Sequence, residues 1–322
     1  MTGLRRIAVN GESRKLSSMA ENSKIEWTHH TFNPWWGCVK VSPGWAHCYA
    51  ERISMRWGYD IWGPKAGRRF FADAHWREPL KWNRDAEQAG ERRRVFCASM
   101  ADVFEDLRIL DGQRERLWSL IEATPWLDWL LLTKRPESIL ALLPSHWHPF
   151  EDGLPRHVWF GISAENQDEL DSRWPVLESF AYLWYPSSLF VSAEPLLGPL
   201  NLEMVLREEN IGDEDASRWI RPADWVIAGG ESGPKARPMH PDWVRSIRDQ
   251  CVESGVPFHF KQWGEWAPFT TPPPGRWENL LNDDRPDPKD TSERRFRVGR
   301  ARAGRVIDGR TWDEYPDSGA MP

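Results

Sequence analysis

Two cysteines and their neighbours carry the most specific chemical signal in the chain. Cys38 closes the segment Asn33-Pro34-Trp35-Trp36-Gly37-Cys38, and Cys48 stands in Gly44-Trp45-Ala46-His47-Cys48-Tyr49-Ala50-Glu51, just before a helical pattern from Tyr49 to Trp57. Soft thiolates converging from a loop are the donors that iron–sulfur chemistry requires. Imidazole also ligates iron in some clusters, so His47, and more remotely His29 and His30, are candidate additional donors. Zinc is the competing metal, but the spacing fits no standard zinc template. The candidate metal ligands are therefore Cys38 and Cys48, with His47 beside them. Cys97 and Cys251 fall on apolar strand and helix positions and read as buried core thiols.

A second set of polar residues recurs after apolar runs. Ser99 with Asp102, Thr133-Lys134-Arg135, Ser163 with Glu165, Ser192 with Glu194, Gly229-Gly230-Glu231-Ser232 and Lys261-Gln262-Trp263 each follow a short hydrophobic stretch. Serine and aspartate in such places often cap the next helix. Capping does not account for Lys134, Glu165, Glu194 and Lys261 together. Carboxylates, lysines and hydroxyls brought to one rim would make a polar pocket. The candidate cofactor-binding residues are Ser99, Asp102, Lys134, Glu165, Glu194, Gly229, Gly230, Glu231 and Lys261. The glycine pair matches neither phosphate-binding fingerprint, and it would serve close backbone approach to a ligand.

The elements that must position these residues are short strands without clean alternation, separated by helices. Strands are expected near 26–32 and at 94–99, 126–133, 158–163, 189–192, 224–229 and 257–262. Helices are expected at 114–123 and from Pro241, with Trp243, Ile247 and Cys251 in register and Gly255 as cap. Such strands belong to parallel sheets covered on both faces. The fold class is α/β, a full or partial β/α (TIM-like) barrel of six or seven parallel strands, whose strand ends share one rim. A doubly wound open sheet is the alternative. Residues 1–23 read as a disordered polar extension in which Met19 is an alternative start. Residues 24–267 form the barrel, and 268–322 a proline-rich loop and basic extension. That extension carries Arg294, Arg295, Arg297, Arg300, Arg302 and Arg305 and a turn at Asp308-Gly309, and it reads as a solvated hairpin. Residues 203–221, with acids at Glu208, Glu209, Asp213, Glu214 and Asp215, read as an exposed insertion.

Composition sets the outer bounds. The 322 residues are 40% hydrophobic and 28% charged, so neither disorder nor a membrane bundle is expected. No apolar run reaches the roughly 18 residues of a membrane span, and the N-terminus lacks the apolar core of a secretory signal. Four cysteines make no disulfide scaffold, which points to a reducing, cytoplasmic setting. A net charge of −6 argues against a protein that coats nucleic acid. Most of the 22 tryptophans are expected in the core.

The motifs together resemble the phage Gp37/Gp68 family (DUF5131, three-Cys-motif proteins). The resemblance runs through Ile25-Glu26-Trp27-Thr28, the cysteine segment, Ser99 to Phe104, Leu132 to Pro136, Ser163 to Gln167, Glu194 to Pro199, Gly229 to Met239 and Phe260 to Gly264. The cysteine loop is similar to that of radical S-adenosylmethionine enzymes of the spore-photoproduct-lyase type. The resemblance implies a barrel holding a [4Fe–4S] cluster and S-adenosylmethionine, an unknown substrate, and association with a three-Cys-motif partner protein. Members carry a third cysteine where this chain has Trp45, and indole cannot ligate iron. Three functions follow: a radical-SAM-like enzyme, a cluster-less binding or regulatory barrel acting with a partner, and a nucleic-acid-modifying or -binding protein.

Overall fold

Seven of the apolar runs pair into one parallel sheet. The computed structural model describes residues 23, 25–148, 153–210, 219–220, 222–269, 278–279 and 294–316. In chain order the strands are β1 (His30–Thr31), β2 (Trp35–Trp36), β3 (Arg69–Phe70), β4 (Arg93–Cys97), β5 (Leu127–Thr133), β6 (Val158–Ser163) and β7 (Ser188–Ala193). Then come β8 (Glu209–Asn210), β9 (Trp219–Ile220), β10 (Trp225–Gly229) and β11 (Phe258–Gln262). The main sheet runs β1-β4-β5-β6-β7-β10-β11, parallel throughout. Its order follows the chain with no reversal, which excludes the doubly wound alternative. β1 and β11 are its edges, so the sheet is a partial barrel.

Alternation along each strand separates two layers of side chains. Phe96, Leu130, Trp159, Phe190, Trp225 and Ile227 pack with Trp27 on one face. Val95, Trp129, Phe160, Val191 and Val226 join the other, under the helices. Gly161 stands opposite Phe190 in the inner layer, and a methyl group there would overlap the Phe190 ring. Thirteen of the 22 tryptophans are buried among the described residues, so core packing is their main use.

The helices expected from sequence occupy Tyr49–Arg56, Asp111–Glu122 and Pro241–Ser254. The last ends on Gly255 at φ 69°, a left-handed cap that favours glycine. Its buried stripe is Val244, Ile247 and Cys251, with Trp243 half-buried beside it.

The C-terminal extension continues past the solvated hairpin expected of it. Chain 312–315 runs along β11: the Phe260 N–H donates to the Trp312 carbonyl at 2.9 Å and the Glu314 N–H to the Phe258 carbonyl at 3.2 Å. Tyr315 then packs on Trp225, donates its hydroxyl to the Glu26 carbonyl and lies under the Arg94 guanidinium. The segment thus covers one open edge and spans toward the other. The hairpin itself is present, with β15 (Val306–Ile307) against β16 (Arg310–Thr311) across Asp308 and Gly309, both at positive φ. Upstream, β12 (Trp266–Phe269), β13 (Glu278–Asn279) and β14 (Arg294–Arg297) form a small antiparallel sheet; β14 falls where the sequence reads as a strand fragment, 294–298, and β13 within the stretch 268–290 that reads as an irregular loop. The chain at 203–221 begins with a short helix, Glu203–Leu206, and the β8–β9 pair; Asp213, Glu214 and Asp215 lie outside the described residues, as does nearly all of 1–23. No described helix is long and apolar enough to cross a membrane.

Candidate ligand-binding site

The carboxyl ends of the sheet strands open into a cavity of about 1050 Å³. Ser99, Asp102, Lys134, Glu194, Gly230, Glu231 and Lys261 line it, as do His47 and Cys48. The floor is the upper rim of the inner layer, Trp27, Phe96 and Leu132. The parallel register accounts for the gathering: Ser163 stands opposite Ser192, and Gly229 opposite Gln262, so strand ends arrive level. Glu165, Gly229 and Cys38 do not line the cavity.

Each acid at this rim has a defined partner. Asp102 accepts from the Thr133 hydroxyl at 2.8 Å, the Lys134 N–H at 3.1 Å and Arg135 Nη1 at 3.0 Å. That arrangement ties the end of β4 to the end of β5. Glu194 accepts from Lys261 Nζ at 3.0 Å, joining β7 to β11 across β10. Glu231 is held by the Arg237 guanidinium at 2.7 and 2.8 Å and faces His47 Nδ1 at 3.4 Å. Burial pushes the Glu231 carboxyl up, but the hydrogen bonds and charge of Arg237 outweigh it and hold it below the usual range.

Glu165 sits behind the wall, fully buried, accepting from Arg173 Nη1 at 2.8 Å and from the Ser42 hydroxyl. Desolvation raises its pKa, whereas the charges of Lys134 and Arg173 and the Ser42 bond lower it, and the net shift is downward. Desolvation in turn depresses the Lys134 ammonium, against the pull of Glu165. Lys134 Nζ lies 4.4 Å from the centroid of the Trp45 ring, a cation–π contact.

The glycines make room for protein atoms. A methyl group on Gly230 would overlap the Trp263 carbonyl, and one on Gly229 would crowd Glu194. One on Gly233, at φ 115°, would strike the Arg52 guanidinium. The close approach expected for a ligand is therefore taken up by neighbouring chain. Gly230→Ala should destabilise the protein by about 1–3 kcal/mol, because backbone on both sides must shift. Urea unfolding of the variant measures this, and an unchanged midpoint would contradict it.

The cysteine loop runs over this rim. Cys38 is buried; its thiol donates to the Val39 carbonyl at 3.4 Å and receives Arg135 Nη1 at 3.7 Å. Burial, with the nearby Asp102 charge, pushes its pKa up to about 12 despite Arg135. Cys48 caps the Tyr49–Arg56 helix and packs with Trp36, Ile61 and Met100, and burial raises its pKa as well. Trp45 ends the short Pro43–Trp45 turn and accepts the Cys48 N–H at 3.3 Å. His29 and His30 do not line the cavity; His30 stacks on Trp82.

A family model described as "Protein of unknown function (DUF5131)" matches residues 22–316. The chain belongs to the DUF5131 family. No curated protein matches it. Among solved structures, this DUF5131 chain is similar to a spore photoproduct lyase double mutant with bound AdoMet and dinucleoside spore photoproduct. The identity is 13% and the TM-score 0.40, covering 92% of this chain and 79% of that one. It is also similar to a single mutant of spore photoproduct lyase, at 13% identity and TM-score 0.39, covering 81% of this chain and 87% of that one. Likeness at this level says nothing about the residues in the cavity.

The cavity of this DUF5131 protein does not fit a cluster held by three thiolates. Two thiols are present on the loop, only Cys48 of them lining the cavity, and the indole at position 45 carries a lysine ammonium on its face. Among the described residues no three His, Cys, Asp or Glu side chains are grouped to hold a metal ion.

The sequence shows Arg135 at a strand end but gives no role to it, nor to Arg173 or Arg237. Arg135, Arg173 and Arg237 hold Asp102, Glu165 and Glu231, and without them those acids would be costly to bury. The available signal was that an acid at the end of a buried strand needs a cation nearby in sequence or across the loop.

Proposed function

We propose that this chain is a cluster-independent binding barrel whose cavity holds a nucleoside-sized zwitterion, with S-adenosylmethionine as the first candidate. The observation that carries the reading is the Glu194–Lys261 pair in the wall of a roomy cavity floored by aromatic rings. An α-amino group and a carboxylate match that pair with opposite signs, and an aromatic base suits the apolar floor. A volume of about 1050 Å³ is at the upper end of the usual range for small-ligand sites. In this reading Lys134 on Trp45 replaces the position a third thiolate would take, and the two cysteines serve packing. The radical-SAM enzyme reading requires a cluster that the donor set does not support.

Calorimetric titration tests the assignment. S-adenosylmethionine should bind one to one, and adenosine, lacking the amino-acid end, about tenfold or more weakly. Lys261→Met and Glu194→Gln should each lose about tenfold, the loss expected when one partner of a charged hydrogen bond is removed. Equal affinity for the two ligands, or no binding of either, would contradict the proposal.

A further inference from the structure

Arg68, just before β3, and Arg69, its first residue, differ in what they meet. Arg68 is buried and saturated: Nε and Nη2 donate to the two Glu105 carboxylate oxygens at 3.0 and 2.8 Å, and Nη1 to the Ala66 and Gly67 carbonyls. Arg69 instead lines the cavity. Its guanidinium lies 4.6 Å from the Trp36 ring centroid, 4.6 Å from that of Tyr59 and 4.7 Å from that of Phe71. Trp36 is its direct cross-strand partner on β2.

Three rings surround the guanidinium, and none of them offers a carbonyl or carboxylate acceptor. Among the described residues Arg69 has no carboxylate partner, and its Nη1 is buried without an acceptor. A buried N–H left this way is costly, and an incoming anion removes the cost. Asp102, Glu194 and Glu231 do not supply that anion, because each already meets a cation of the protein. Arg52 and Arg56, on the Tyr49–Arg56 helix, line the same cavity and likewise form no ion pair among the described residues. Glu78 and Glu265 also line the cavity, the first facing His75 Nδ1 at 3.7 Å and the second accepting the Gly233 N–H at 2.9 Å, which leaves these guanidinium groups available to an anion.

We propose that Arg69 is an anion-binding residue of this cavity and that a phosphate-bearing molecule binds there beside the zwitterion. A rigid, planar fork suits a tetrahedral or carboxylate anion in two-point contact. Phosphate is favoured over carboxylate because several unpaired guanidinium groups share one cavity, and a dianion can use more than one. The inference deepens the reading of the cavity as a ligand site and rests on it, though not on the identity of the zwitterion.

Titration with orthophosphate, and separately with acetate, tests it by calorimetry and phosphorus NMR line width. Orthophosphate should saturate one site below about 10 mM and bind about tenfold tighter than acetate. Arg69→Met should weaken phosphate binding at least about tenfold. Arg69→Lys should lose nearly as much, since it keeps the charge but not the planar fork. Lys65→Met, on an exposed loop outside the cavity, should bind phosphate like wild type. Circular dichroism and melting of both Arg69 variants check that the fold persists. Phosphate binding that does not saturate, that matches acetate, or that survives in both folded variants would overturn the proposal. Phosphate binding that depends on Arg69, alongside a failed S-adenosylmethionine titration, would remove the zwitterion assignment and leave this one standing.

Discussion

Trp45→Cys is expected to give the protein an iron–sulfur cluster that the wild-type chain cannot keep. Trp45 sits one turn before Cys48, with its carbonyl accepting the Cys48 N–H, so a thiol at 45 and the thiol at 48 arise from the same turn. Cys38 stands on the preceding loop, and its Arg135 contact favours the thiolate once a metal competes for the proton. Two thiolates leave a four-iron cluster with two open corners; three restore a site-differentiated one. Reconstituted without oxygen, the variant should absorb near 400 nm and hold about four irons per chain, whereas wild type should hold almost none. Without metal the variant should melt below wild type, because an indole packed against Trp36, Cys48 and Met100 is lost. Reconstitution should reverse that loss. A variant that remains colourless would mean the loop does not gather its thiols.

The second large effect concerns the fully buried Glu165. Removing its partner in Arg173→Met leaves an uncompensated carboxylate behind the cavity wall, with Lys134 and Ser42 as its remaining support. Breaking such a pair costs about 3–5 kcal/mol. In wild type the folded Glu165 has a lowered pKa, so its contribution is present above the unfolded carboxyl pKa and is lost as pH falls through the folded value. In the variant desolvation prevails and the folded pKa rises, so protonation relieves the strain. The stability gap between the two proteins should therefore be widest near pH 7 and narrow below about pH 4. Adding Glu165→Gln to Arg173→Met should recover part of the loss at neutral pH. Urea unfolding at several pH values reads all three outcomes, and a gap under about 1 kcal/mol at pH 7 would contradict the account.

The contrast between strands and loops shows what the residue pattern could convey. β6 falls on the expected residues, 158–163, and β5, β7, β10 and β11 within about one residue of theirs, because fully buried parallel strands announce themselves as uninterrupted apolar runs bounded by turn residues. The polar residues after those runs followed directly, since a parallel sheet delivers its strand ends to one side. Which of them reach the cavity was not legible. Glu165 and Glu194 look alike in sequence, yet one lies behind the wall and the other in it, and a helix-borne arginine eight residues downstream makes the difference. β2 and β3 were also invisible, being two residues each and joined across a long connection. Their pairing is what sets Arg69 against Trp36. The exposed hairpin of the C-terminal extension was legible, but the segment after it was not, and there Trp312 and Tyr315 bind along β11 and against Trp225.

A cluster-independent ligand site is the central claim, and one titration addresses it directly. Wild-type protein purified without oxygen is divided, one half treated with a strong iron chelator, and both halves are assayed for iron and titrated with S-adenosylmethionine. The account predicts fewer than about 0.5 iron per chain in either half and the same one-to-one binding curve in both. About four irons per chain in the untreated half, with binding that disappears after chelation, would contradict it.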